Sequence, residues 1–137
     1  YGKSNNFPLY SRELCELYSQ NWRYLSELNI ELTLMMMRWL NIKTPTIRSS
    51  ELEADGTASD LVLNICKELG ASVYLTGLGG QNYLKISDFE SSGIRVDFRS
   101  PALSSGYPQM FTKIDFLDSL SALDIALNCG EAWREYL

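Results

Sequence analysis

The alternation of short β-favouring runs with a helical repeat constrains this chain most. Thr46–Ser50 reads as an extended segment and Glu51–Gly56 as a loop. From Thr57 to about Leu69, Leu61, Val62, Ile65, Cys66 and Leu69 recur on one helical face. Thr57 followed by Asp60 gives a start of the capping-box kind, and Gly70 suits a helix C-cap that needs φ > 0. Ala71–Thr76 is a compact β-favouring run ending at Gly77. Strand, helix and strand with short joints specify a βαβ unit, hence parallel strands and a right-handed crossover.

Helical period dominates upstream. Pro8 can open a helix over Leu9–Ser19, and a longer one follows over about Trp22–Asn41. In the second helix Trp22, Leu25, Leu28, Leu32, Met35 and Trp39 step by three or four, the stripe of a core-packed helix. Pro45 ends that period. Downstream, Ser87–Ser91 reads as a short helix, Ile94–Phe98 as a third strand, and Ser100–Gln109 as a loop. Asp118 or Ser119 caps a last helix through about Asn128, with Leu120, Leu123, Ala126 and Leu127 inward. Gly130 ends it, and Glu131–Leu137 adds a further turn. The expected fold is α/β, a short mainly parallel sheet with flanking helices preceded by two amphipathic helices, in a single domain over residues 1–137.

Composition narrows the function. The chain has 12 Lys plus Arg and 17 Asp plus Glu, a net charge of 12 − 17 = −5, and no basic run, which argues against nucleic-acid or anionic-lipid surfaces. No apolar run approaches the roughly 18 residues of a membrane span. Cys15, Cys66 and Cys129 are far apart with no CxxC, which fits free thiols in a reducing cytoplasm. Histidine is absent, so Ser-His-Asp and Cys-His pairs and His-containing zinc sites are excluded. No catalytic residue is assigned, and no cofactor or metal is implied.

Ligands of open parallel sheets bind beyond the carboxyl ends of the strands. That rule selects three loops, Ser49–Gly56, Gly77–Tyr83 and Arg99–Gln109. Gly77, Gly79 and Gly80 either bring backbone amides close to an anion or form a tight turn needing φ > 0. The loop is neither a P-loop nor a GxGxxG fingerprint. Ser49, Ser50 and Glu51 supply two hydroxyls and a carboxylate, or a plain turn. Ser121, Asp124 and Asn128 share a helix face that either lines a polar cleft or is an exposed stripe behind a cap. Cys129 lies at a helix C-terminus, where the dipole disfavours a thiolate.

Several words, in order, carry a family likeness. They are Ser49-Ser50-Glu51-Leu52, Ile65-Cys66, Leu69-Gly70-Ala71, Tyr74 through Leu84, Gly93-Ile94, Tyr107 with Gln109, Phe116, Leu120 through Asp124, and Asn128-Cys129-Gly130. From about Ser49 on, the chain resembles the WbqC-like protein family. The Leu25–Thr44 stretch resembles it more weakly. The family's Gln-Pro-Asn-Tyr-type opening is not matched, so the resemblance implies the C-terminal part of a longer protein. Ser104-Ser105-Gly106 stand where the family carries a His-Pro step.

The resemblance implies a bacterial cytoplasmic protein of surface-glycan (O-antigen type) biosynthesis, with transfer of glycine or another aminoacyl group onto a sugar as its suggested activity. A nucleotide sugar or glycan precursor is the implied partner. In the substrate site that the three loops and the resemblance together suggest, Gly77, Gly79 and Gly80 cradle an anionic group, and Ser50 and Glu51, with Ser49 beside them, hold a hydroxyl or amine. Tyr83, Gln109 and Asp124 orient the substrate. The alternative is a non-catalytic ligand-binding or interaction module, with helices 9–19 and 22–41 docking a second copy or a missing N-terminal domain. This stretch by itself is expected not to be catalytic.

Overall fold

A computed structural model describes residues 1–100, 106–111, 113 and 115–136. The chain forms two compact units, Tyr1–Thr44 with Leu103–Leu137, and Pro45–Ala102.

The first unit is helical. Helix α1 spans Phe7–Tyr18, α2 spans Leu25–Trp39, and a third helix, here called α5, spans Ala122–Cys129. A 3-10 segment, Gly130–Tyr136, follows α5. Their apolar faces bury Tyr10, Met35, Trp39, Leu40, Ala126 and Leu127 in one cluster. The Tyr10 and Trp39 rings stack with centroids 4.3 Å apart. Glu13 of α1 ties the same helices together. Its carboxylate accepts from Trp39 Nε1 at 2.6 Å and from Arg38, and these bonds hold the carboxyl below its usual range. The carbonyls ending α2 would otherwise lack partners. Trp133 Nε1 donates to Leu40 O at 2.8 Å and Arg134 to Asn41 O at 2.8 Å.

The second unit holds the parallel sheet. Strands β1 (Val73–Gly77) and β2 (Arg95–Arg99) pair in parallel, Val73 opposite Arg95 through Gly77 opposite Arg99. Parallel neighbours need a crossover. Here it runs through a 3-10 turn, Leu78–Asn82, and helix α4, Ile86–Ser91. Helix α3, Ala58–Glu68, completes the unit. Leu63, Cys66, Leu84, Phe89 and Ile94 form its core, with Phe89 fully buried and its ring stacked on Tyr74.

Several expectations are corrected. Thr46–Ser50 is not a strand, because Ser49–Glu51 closes a 3-10 turn in which Leu52 N–H donates to Ser49 O. The Glu51 carboxylate accepts from Arg48 N–H, a local bond that competes with strand pairing. The parallel crossover therefore lies between the second and third anticipated strands. The Thr57–Asp60 capping box does not form. Thr57 is the N-cap, but the Asp60 carboxylate pairs with Lys85 Nζ at 3.0 Å. Trp22 lies outside α2 because its Nε1 donates back to Leu17 O at 2.9 Å, at the end of α1. Ser121, not Asp118 or Ser119, caps α5, since its hydroxyl accepts from Leu123 N–H at 3.2 Å. Leu120 is exposed rather than inward.

Phe89→Ala empties the middle of the second core. We expect a loss of about 3–5 kcal/mol in denaturant unfolding. A loss below about 1 kcal/mol would show that this core does not stabilise the unit.

Candidate functional site

The described residues place one buried carboxylate among converging donors, Asp124 in the first turn of α5. Ser121 caps that turn, and an acidic side chain there is favoured by the helix dipole. Tyr107 Oη donates to Asp124 Oδ2 at 2.6 Å, and Gln109 Nε2 donates to the same oxygen at 3.0 Å. Asn128, one turn along α5, donates from Nδ2 to Asp124 Oδ1 at 3.1 Å and to Asp124 O at 2.8 Å. Tyr107 is 7% exposed and Asp124 4%, so these bonds form away from bulk water.

Local geometry explains the placement. Gly106 has φ 70° and faces the Phe116 ring, where a Cβ would approach to 3.3 Å. Phe116 meets the Tyr107 ring edge-on at 5.2 Å. Gln109 clamps the return of the chain. Its Oε1 accepts from Leu117 N–H at 3.0 Å and its Nε2 donates to Leu117 O at 2.8 Å. Both ends of the Gln109 amide are thus engaged.

A cavity of about 300 Å³ opens beside this network. Tyr1, Gln109, Asp115 and Asp124 form its polar lining, and Met110, Phe111, Leu117 and Leu120 its apolar lining. Burial and the Asp124 carboxylate push the Tyr107 phenol up to about 12. The neighbouring Asp124 carboxylate and burial push the Tyr1 phenol up to about 12 as well. Both phenols are therefore donors at neutral pH.

The sequence candidates divide. Gln109 and Asp124 are in direct contact and half-buried Asn128 joins them, whereas exposed Ser121 serves as the cap of α5 and takes no part in the cluster. The other candidates belong to the second unit. Ser49, Ser50 and Glu51 are exposed on their 3-10 turn. Gly77 ends β1, while Gly79 and Gly80 lie in the following 3-10 turn. None of the three glycines has φ > 0, which removes the tight-turn explanation. Gly80 is instead a close approach, since a Cβ there would meet Thr76 Oγ1 at 2.8 Å. Tyr83 is 47% exposed. The expected edge of three loops is not formed as drawn, since Ser49–Gly56 follows no strand. Ser104 and Ser105, which stand where the family carries a His-Pro step, lie outside the described residues.

Sequence reasoning missed Tyr1, Asp115 and the apolar cavity walls. Only the Tyr107-x-Gln109 spacing offered a signal, because it puts two polar side chains on one side of an extended segment. Cys66 and Cys129 have thiols pushed up by burial, with the Asp124 charge adding to Cys129. Among the described residues, no three His, Cys, Asp or Glu side chains gather as a metal site, and no helix is long and apolar enough to cross a membrane.

Comparison with known proteins gives the following. A sequence model of the WbqC-like protein family matches residues 1–136. Over 121 residues, 83% of this chain, the sequence is 26% identical to an uncharacterized protein of Mycobacterium tuberculosis (strain ATCC 25618 / H37Rv) and covers 52% of it. The chain thus spans about half the length of this curated relative. No solved structure matches the chain.

Two outcomes test the network. Tyr107→Phe removes a donor to a buried carboxylate and should cost about 1.5–3 kcal/mol in denaturant unfolding. An unchanged midpoint would contradict the hydrogen bond. The Tyr107 phenol titrates at about 12 in the folded chain against an ordinary value of 10.0, so folding favours its protonated form. The resulting stability is complete below pH 10.0 and is lost as pH rises toward about 12. Alkaline unfolding followed by circular dichroism should set in across that window and be blunted in Tyr107→Phe. The same profile in both proteins would contradict the assignment.

Proposed function

Since the chain belongs to the WbqC-like protein family, we propose that it is the substrate-holding part of a bacterial transferase. The transferase acts in surface-polysaccharide (O-antigen type) biosynthesis. It moves glycine or another aminoacyl group onto a sugar precursor in the cytoplasm. The observation that carries this reading is the Tyr107–Gln109–Asp124–Asn128 cluster at the wall of a cavity. Acyl transfer joins an amine or hydroxyl to a carbonyl carbon, breaks the bond to the leaving group and releases a proton from the nucleophile. A fixed carboxylate can accept that proton. Asp124 takes this role, and Tyr107, Gln109 and Asn128 fix its orientation.

Ser49, Ser50, Glu51, Gly77, Gly79, Gly80 and Tyr83 are proposed as a separate surface of the second unit that meets the nucleotide or glycan portion. Exposed Leu9, Tyr18, Tyr24 and Leu25 on and beside the first two helices offer the faces for a second copy or a further domain.

One observation favours the non-catalytic alternative. Asp124 already receives three donors, from Tyr107, Gln109 and Asn128, as a carboxylate that only holds a ligand would.

Calorimetric titration with a panel of nucleotide sugars, free sugars and aminoacyl donors tests the proposal. We expect at least one sugar or aminoacyl compound to bind, at least tenfold more weakly to Asp124→Asn. Absence of binding by every member of the panel would overturn it. Binding without product formation in a mixture of donor and acceptor would select the non-catalytic alternative.

A further inference from the structure

The cavity wall offers acceptors and almost no free donors. Gln109 spends its amide hydrogens on Asp124 and Leu117 O, and its carbonyl on Leu117 N–H. The Tyr107 hydroxyl is spent on Asp124. Two carboxylates, Asp115 and Asp124, face the cavity, and no Lys or Arg is among its described lining residues. An anion entering here would meet two like charges in a partly dry site with no Lys or Arg side chain among the described lining residues to offset them, which costs several kcal/mol. A ligand must instead bring donors. An ammonium group carries three donors, no acceptor and the complementary charge. Phe111 and Leu120 leave an apolar wall for the carbon skeleton beside it. Half-exposed Tyr1 lines the same cavity beside them.

We propose that this cavity binds a primary ammonium group, held by Asp115 and Asp124, and rejects phosphate and carboxylate groups. The proposal rests on the reading of the Asp124 cavity as the substrate site above and names the chemical class that enters. Two sources carry that chemistry, an amino sugar and the α-amine of an aminoacyl group. A nucleotide diphosphate then has its place elsewhere in the protein.

Titration with D-glucosamine, glycinamide, N-acetylglucosamine, glucose and glucose 1-phosphate tests it, using the chain and Asp115→Asn. Asp115 is exposed, so the substitution leaves the fold intact. We expect glucosamine or glycinamide to bind, and whichever binds more tightly identifies the source. Acetylating the amine should weaken binding at least tenfold, Asp115→Asn should weaken it about three- to tenfold, and added salt should weaken it further. Glucose 1-phosphate should not compete. Equal binding of glucosamine and N-acetylglucosamine, or an amine affinity unchanged by Asp115→Asn, would overturn the ammonium site while leaving sugar binding in place. Failure of all five compounds to bind would overturn it as well. Calorimetric binding of a nucleotide sugar would then show that the broader function still stands.

Discussion

The bond between Tyr107 and Asp124 is the constraint around which the first unit's polar site is organised. A carboxylate that is almost wholly buried is tolerated only with partners. Here they come from two places in the chain, Tyr107 and Gln109 on one segment and Asn128 on the same helix as Asp124. Each partner has a reason for its position. Gly106 and Phe116 set the Tyr107 ring, and Gln109 is pinned by both backbone groups of Leu117. The cluster stiffens the cavity wall at the same time as it satisfies the charge.

The two hydrophobic cores play a supporting part. In the first unit, Ala126 and Leu127 anchor α5 against Met35 and Trp39, which fixes the helix that carries Asp124. In the second, Phe89 and Ile94 hold the crossover beneath the parallel pair. The Glu13 bonds to Trp39 and Arg38 show the same economy in the helical unit. One carboxylate satisfies a buried indole N–H and a guanidinium together.

Much of this was legible in the sequence. The five helices, the strands at residues 73–77 and 95–99 and the stop at Gly130 follow from period and punctuation. Thr46–Ser50 misled because its β-branched residues precede Ser49-Ser50-Glu51, whose side chains favour local turns over a ladder. Asp124 and Gln109 were identifiable as candidates, but their contact was not. The two lie 15 residues apart, and the sequence between them carries no periodic signal. The role of the Gly77–Gly80 glycines was misread for a related reason. Spacing signals glycine without saying whether the cause is a positive φ or a near neighbour, and at Gly80 the neighbour is Thr76.

The central claim is that the Asp124 cluster is a ligand-binding site and not only a buried structural network. The side-chain amide resonances of Gln109 and Asn128 report it directly in a nuclear magnetic resonance titration with D-glucosamine. The account predicts that both amides shift together, saturate with the ligand and stay protected from hydrogen exchange. Amides that remain fixed while resonances of Gly77, Gly79 or Tyr83 move would place the binding site in the other unit and contradict the account.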